Sequence, residues 1–157
     1  TAPPPSTLPV RHYHIVPATI TVINPKGING YKNADLTGKV THYRQGTVLK
    51  VARILKDKTA TRFVLTNGQI VTASKLLVKM GTIPQPKRAT KLKALNRYGD
   101  LDLTTKLEHF KKVTPKSFGI LNWDYSDGYN YHVKSLKRYR IDNGYITAYS
   151  KLVKSDY

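Results

Sequence analysis

Short runs of apolar and β-branched residues, separated by turn residues, dominate this chain. The clearest pair is 61–65 and 69–72, which flank Asn67-Gly68. Because Asn-Gly supplies the two positive-φ residues of a type I′ turn, this pattern predicts a β-hairpin. Similar runs predict further strands in the first half, at 18–23, 40–43, 47–55 and 76–78. Many short strands with regular turns predict an all-β fold, as a small barrel or sandwich.

The hairpin pattern returns near the C-terminus. Residues 137–154 match 61–79, at a shift of 76 as far as Lys75 and Lys151, and an earlier block, 26–47, aligns without gaps on 93–114 at a shift of 67. The earlier blocks share nine identities in 22 positions, where average composition gives roughly one. The sequence therefore predicts a tandem repeat. The difference between the shifts, 76 − 67 = 9, gives the second copy nine extra residues in the aromatic stretch 123–136.

Proline and charge mark the predicted domain boundaries. Residues 1–17 hold five of the nine prolines and predict an extended Pro-rich linker. The first repeat is then predicted at 18–82, and the second, with its aromatic insert, at 93–157. Between them, 83–92 contains two prolines followed by a basic run, and is predicted to be a basic linker.

Charge changes the picture most. The chain has 27 Lys and Arg against 9 Asp and Glu, a formal net charge of +18. Such a balance predicts an anionic partner: nucleic acid, anionic lipid or an anionic wall polymer. No apolar run reaches membrane-spanning length, so no membrane span is expected. The absence of cysteine removes disulfide, zinc-knuckle and thiol-nucleophile interpretations.

Catalytic patterns are weak, so we expect no enzyme and no cofactor. The only Glu is Glu108, and a glycosidase pair would need Asp124 and Asp127, which flank a predicted turn where Asp is favoured for local backbone bonding. Neither a G-x-S-x-G nucleophile motif nor a phosphate-binding glycine loop is present.

The histidines predict neither a metal site nor a catalytic base. His12 and His14 could share one face of a strand, but two ligands without a third make a weak zinc site. His42 and His109 stand at equivalent positions beside an aromatic residue, and a shared structural role in the repeat explains them best.

Binding is better supported, because cations and aromatic rings interleave along the second copy. Aromatic faces stack on sugars or bases, while Lys and Arg hold phosphates. The competing interpretation is that many tyrosines fill the core, and the rings aromatic in both copies are expected there: Tyr31, Tyr98, Phe63 and Tyr139. The predicted ligand-binding residues are Lys50, Arg53, Arg62, Lys111, Lys112, Trp123, Tyr125, Tyr129, Tyr131, Lys134, Arg138, Arg140 and Tyr145.

The first copy resembles a known family. Q-G-T-V-L-K-V at 45–51, T-R-F at 61–63, Asn67-Gly68 and T-A-S-K at 72–75 resemble the bacterial SH3-like cell-wall-binding repeats of surface-layer proteins, adhesins and peptidoglycan hydrolases of lactic acid bacteria. The resemblance implies two SH3-like barrels or sandwiches at the surface of a Gram-positive bacterium. It also implies a non-catalytic anchor that binds lipoteichoic or wall teichoic acid, or peptidoglycan.

The second copy departs from this pattern. Lys112-Val113-Thr114-Pro115 replaces the Gly-Thr turn, and Pro115 is expected to alter the strand that follows, because proline cannot donate to a β-ladder.

Three alternatives remain open at this stage. A basic β-barrel with aromatic rings could bind nucleic acid. The chain could be the targeting module of a phage or bacterial endolysin. Exposed edge strands could also drive self-association.

Overall fold

The computed structural model describes residues 11–58, 60–126 and 137–157. All regular secondary structure in these ranges is β-strand, which confirms the all-β prediction. The chain forms two compact units, one extending to Pro84 and the other running from Gln85 to Tyr157. Nowhere in the described ranges is there a helix long and apolar enough to cross a membrane.

Seven strands of the first unit form one antiparallel sheet in the order β3-β2-β6-β5-β4-β1-β7. Strand β4 pairs with β1 through its first residues and with β5 through the rest, and its register with β5 shifts between Val51 and Arg53. A register shift of this kind bends a strand. The strands are β1 (Thr19–Val22), β2 (Ile28–Tyr31), β3 (Lys39–Tyr43), β4 (Val48–Asp57), β5 (Ala60–Leu65), β6 (Ile70–Thr72) and β7 (Val78–Met80).

The core of the first unit takes alternate residues from these strands. Its largest fully buried ring is Phe63, against which Tyr13 stacks with ring centroids 6.1 Å apart. Burying these apolar groups is the main favourable term in the stability of the unit. The buried cluster consists of Ile20, Val22, Ile28, Leu49, Val51, Phe63, Leu65, Val71, Ala73 and Val78.

The second unit divides the same plan into two sheets, with strand orders β10-β9-β14-β13-β12 and β11-β8-β15. Strand β4 is continuous in the first unit, but its counterpart here is interrupted at Ile120 and Leu121. The strands are β8 (Arg88–Lys91), β9 (Leu95–Tyr98), β10 (Lys106–Phe110), β11 (Ser117–Gly119), β12 (Asn122–Tyr125), β13 (Lys137–Ile141), β14 (Gly144–Thr147) and β15 (Val153–Asp156).

The effect expected of Pro115 is visible at the start of β11, ahead of this interruption. Pro115 aligns with Val48, the first residue of β4, and β11 begins only at Ser117 and spans three residues. In neither unit do the described strands close into a barrel.

Two segments that were predicted to be linkers contribute to the units. Tyr13 donates its amide to the Ala73 carbonyl at 2.9 Å, and Lys75 donates to the Arg11 carbonyl at 2.8 Å. Arg88–Lys91, inside the predicted linker 83–92, is strand β8. Proline and lysine content suggested solvated chain, but β8 is the central strand of its sheet, and residues 11–13 bond to the backbone at 73–75.

Local backbone details also differ from the predictions. In the first hairpin only Gly68 of the Asn-Gly pair has a positive φ, 87°, and Leu65 donates to the Gln69 carbonyl across a three-residue loop rather than a type I′ turn. Strand β2, which the sequence pattern did not predict, runs through Gly30. A Cβ at Gly30 would collide with the side-chain amide of Gln69, so glycine here permits close packing.

Candidate functional site

Exposed cations dominate the surface of both units. The single ion pair within the described ranges joins Arg97 Nε and Glu108 Oε1 at 3.3 Å. Among the described Lys and Arg residues, only Lys91 and Arg138 are buried. Most of the positive charge therefore faces solvent without an acidic partner, where it can attract an anionic molecule.

The second unit contains an open cleft of about 500 Å³, which we call the basic cleft and define by Lys87, Arg97, Phe110, Lys116 and Phe118. Phe110 and Phe118 meet edge to face, with centroids 5.3 Å apart. The ammonium of Lys116 lies 5.9 Å and 5.8 Å from the two ring centroids, within the range of a cation–π interaction. Apolar rings and cations thus meet in one concave surface.

Acidic groups also line the basic cleft. Glu108 pairs with Arg97, and Arg97 donates a second hydrogen bond to the Asn143 carbonyl in the β13–β14 turn. Asp142 lies on the same rim. The cations of this cleft that make no ion pair with a described residue are therefore Lys87 and Lys116.

Two of the aromatic residues that were predicted to bind ligand are buried. Trp123 is 8% exposed and donates its indole N–H to Gln85 Oε1 at 2.7 Å, and Tyr125 is 7% exposed and packs edge to face against it. Both rings therefore belong to the core, and the expectation that they contact ligand is wrong. Burial, followed by the nearby Tyr139, raises the pKa of Tyr125.

Arg62 and Arg138 donate hydrogen bonds to equivalent loops, the loop after β2 for Arg62 and the loop after β9 for Arg138. Arg62 donates Nε to the Ala34 carbonyl at 3.0 Å, and Arg138 donates Nε to the Leu101 carbonyl at 3.2 Å. Leu101 is the repeat equivalent of Ala34, so the two contacts correspond. Burial lowers the pKa of Arg138, opposed by the nearby Asp102 and Tyr98. Arg138 is buried and supports this loop, so it is not exposed as the predicted ligand-binding role requires. In Arg62 the Nε atom is occupied by the same kind of contact.

Lys111 and Lys112 are exposed, as a ligand-binding role requires, but their carbonyls have a structural role. They accept hydrogen bonds from the Lys91 ammonium at 2.6 Å and 2.9 Å. Lys91 occupies the place of the buried Val22 in the first unit, since Lys91 pairs with Val153 as Val22 pairs with Val78. The carbonyls compensate for burying this charged group.

The remaining predicted residues are spread over separate places. Lys50 and Arg53 are exposed on β4 of the first unit, while Arg140 is exposed and Tyr145 half-buried in the second. None of the predicted binding residues lines the basic cleft. Tyr129, Tyr131 and Lys134, together with Asp127, lie outside the described residues.

Sequence reasoning missed a second kind of site: a group of surface residues that recurs in both units with the same contacts. Its members are polar or charged and lie on two adjacent strands of each unit. We call these groups the paired polar clusters, consisting of Asn29, Tyr31, Lys39 and His42 in the first unit and Asn96, Tyr98, Lys106 and His109 in the second.

In the first cluster, His42 lies opposite Asn29 and Lys39 lies opposite Tyr31 on β3 and β2. His42 Nδ1 is 2.8 Å from Asn29 Oδ1, and Asn29 Nδ2 donates to the Tyr31 hydroxyl at 3.3 Å. Because an amide oxygen only accepts, Nδ1 of the imidazole carries the hydrogen. Nε2 makes no hydrogen bond with a described residue and lies beside Gly27.

The second cluster repeats these contacts. His109 Nδ1 lies 2.6 Å from Asn96 Oδ1, and Asn96 Nδ2 donates to the Tyr98 hydroxyl at 3.1 Å. Lys106 lies opposite Tyr98, as Lys39 lies opposite Tyr31. The alignment at a shift of 67 identified the matching residues, but not the hydrogen bonds that join them.

Other titratable groups provide no metal site in the described ranges, where no group of three or more metal-ligating side chains occurs. His12 forms a β-bridge with Ser74, and its pKa is lowered by burial and then by Arg62 and His14. The pKa of Asp100 is lowered chiefly because its carboxylate accepts hydrogen bonds from the Thr104 hydroxyl and the Thr105 amide in the same loop. The lowered pKa values of His12 and Asp100 are therefore explained by their local contacts.

Comparison with protein families identifies one match, a domain of unknown function (DUF5776), over residues 12–78. This is less than half of the chain, and it covers the first unit from the His12 bridge to the start of β7. No curated protein and no solved structure matches the chain. The matched family has no assigned activity, so function has to be argued from the surface of the two units.

Proposed function

We propose that this chain is a non-catalytic binding domain that attaches a parent protein to an anionic polymer of the Gram-positive cell wall, such as teichoic acid. The observation that carries the proposal is the excess of exposed cations: one ion pair in the described ranges, against a net charge of +18. A polymer with regularly spaced phosphates suits such a surface, because each neutralised phosphate releases a counterion.

The basic cleft and the sequence resemblance support the same function. Lys87 and Lys116 place two cations that make no ion pair with a described residue in one concave surface, an arrangement that suits the phosphates of a polymer. The motifs at 45–51 and 61–63 resemble those of SH3-like wall-binding repeats. Binding to the outer wall would place the protein outside the cell.

The proposal is tested by sedimentation of the purified chain with Gram-positive cell walls, before and after chemical removal of teichoic acid, and with DNA as a competitor. Binding that disappears with the teichoic acid supports the proposal. Binding that persists on stripped walls would assign the ligand to peptidoglycan. Binding to DNA alone would make the domain a nucleic-acid-binding protein.

A matched pair of variants separates local recognition from bulk charge. Lys87→Glu with Lys116→Glu changes the charge of the basic cleft, and Lys56→Glu with Lys79→Glu makes the same change on the first unit. We expect the first pair to weaken wall binding about tenfold or more, the loss of one or two charge-assisted contacts. Equal losses in both pairs would mean that only net charge matters.

A further inference from the structure

From the geometry of the paired polar clusters, we infer that each unit contains its own binding site for a phosphate-bearing polyol, centred on His42 in the first unit and on His109 in the second. This inference rests on the proposed function, since such a unit is the repeating element of an anionic wall polymer. It adds the location, the number of sites and the part of the ligand that each side chain contacts.

The clusters are retained although their surroundings have diverged. Gly30, which lies between Asn29 and Tyr31 on β2, is replaced by Arg97 in the second unit. Tyr98 pairs with Tyr145 where Tyr31 pairs with Ile70, so the neighbour of the tyrosine also differs. The neighbours of the two sites therefore differ, yet all four residue types are kept, and so are the His–Asn and Asn–Tyr hydrogen bonds and the place of Lys opposite Tyr. Folding alone gives little reason for this, because both histidines are exposed and a hydrogen bond of this kind contributes only about 0.5–1.5 kcal/mol.

A β-bulge brings the lysine to the same face as the histidine. Lys39 and His42 are three residues apart and would point to opposite faces of a regular strand. The extra residue Val40 shifts the register, so that Lys39 lies opposite Tyr31 while His42 lies opposite Asn29. In the second unit Leu107 shifts the register at the equivalent place. A β-bulge at the same place thus brings the His, Asn, Tyr and Lys side chains together in both units.

The chemistry of each cluster defines the ligand. The imidazole is oriented by its asparagine, so in its neutral form Nε2 accepts a hydrogen bond from a ligand hydroxyl. The lysine ammonium makes no ion pair with any described residue and can hold a phosphate. The tyrosine beside it offers an aromatic face to carbon–hydrogen groups. A polyol phosphate carries all three complementary features, whereas inorganic phosphate or glycerol carries only a part of them.

The first test uses the histidine ring signals of the intact chain in NMR, with glycerol 3-phosphate as the probe and inorganic phosphate and glycerol as partial probes. We expect glycerol 3-phosphate to shift the ring signals of His42 and His109 at similar concentrations, and to leave His14 unchanged. His42→Ala should remove the response of Tyr31 and leave that of Tyr98 intact. Shifts confined to the basic cleft, unaffected by His42→Ala and His109→Ala, would overturn the inference.

The second test measures wall binding by the double variant His42→Ala and His109→Ala. We expect about tenfold weaker binding, as for the loss of directed hydrogen bonds, while each unit stays folded with a thermal unfolding midpoint lowered by only about the few degrees that one lost hydrogen bond accounts for. His14→Ala is the matched control, an exposed histidine outside the clusters, and should bind as the wild type does. Wild-type binding by the double variant would refute the paired sites while leaving the proposed function standing. Failure of the wild type itself to bind walls would refute the function.

Discussion

One buried position shows how the two copies solve the same packing problem with different residues. Phe63 is fully buried in the first unit, and Tyr139 occupies the equivalent place in the second at 2% exposure. The Tyr139 hydroxyl lies 2.6 Å from the hydroxyl of Ser155. Strand pairing places Met80 where the second unit has Ser155, because Met80 pairs with Ile20 as Ser155 pairs with Ala89. The hydroxyl therefore has a good partner only in the second unit.

This difference predicts unequal effects for reciprocal substitutions. Tyr139→Phe removes one hydrogen bond and should lower the free energy of unfolding by about 1 kcal/mol, whereas Phe63→Tyr buries an unpartnered hydroxyl and should cost about 1–3 kcal/mol. Denaturant titration of the full chain measures both. An unfolding curve for Phe63→Tyr that overlays the wild type would contradict the prediction.

The edge strands β3 and β10 share a feature that hinders pairing with another chain. Each is the edge of its sheet, and each carries a bulge residue that is half exposed, Val40 at 49% and Leu107 at 50%. A regular exposed edge would pair with another chain, but a bulge twists the edge and interrupts its row of hydrogen-bonding groups. This argues against self-association through these two strands.

Deleting Val40 should therefore expose a regular edge. We expect the deletion variant to associate, which light scattering detects as a mass that rises with protein concentration. Leu107→Lys keeps the bulge in the second unit and should leave the mass unchanged. A deletion variant that stays at the wild-type mass over the same concentrations would show that the bulge does not protect this edge.

Sequence reasoning found the repeats and most strands, because alternation and turn residues are local properties. It missed β2, where Gly30 reflects close packing against Gln69 rather than a turn. It also assigned Trp123 and Tyr125 to a binding surface, although both are buried. Alternation shows which residues share a face, but only the complete sheet shows which face is covered. The paired polar clusters were not predicted for a related reason: a bulge changes the face of the strand on which Lys39 lies.

For the whole molecule, the most prominent property is charge. Nearly all cations of the described ranges are at the surface, and an anionic polymer of the kind proposed would relieve their mutual repulsion. Two units with the same cluster also provide more than one contact for a repeating ligand, a property that the net charge alone does not give.

Wall binding should therefore weaken steeply with salt. We expect the affinity to fall at least about tenfold between about 50 and 200 mM monovalent salt, with a linear relation between the logarithms of affinity and salt concentration. Sedimentation at graded salt measures the slope. The variant His42→Ala with His109→Ala should retain most of this slope, because its lysines remain. Binding that does not change with salt would point to a neutral glycan.

The short contact between residues 11–13 and 73–75 has a mechanical consequence. A force pulling on the N-terminal side of Arg11 would load this contact first. Only one backbone hydrogen bond joins Arg11 to Lys75, and one joins Tyr13 to Ala73. Tyr13 adds its stacking on Phe63 and a hydrogen bond from the Thr61 hydroxyl. We expect the segment to peel away before β1, giving a small extension that absorbs a brief pull while the seven-stranded sheet stays folded.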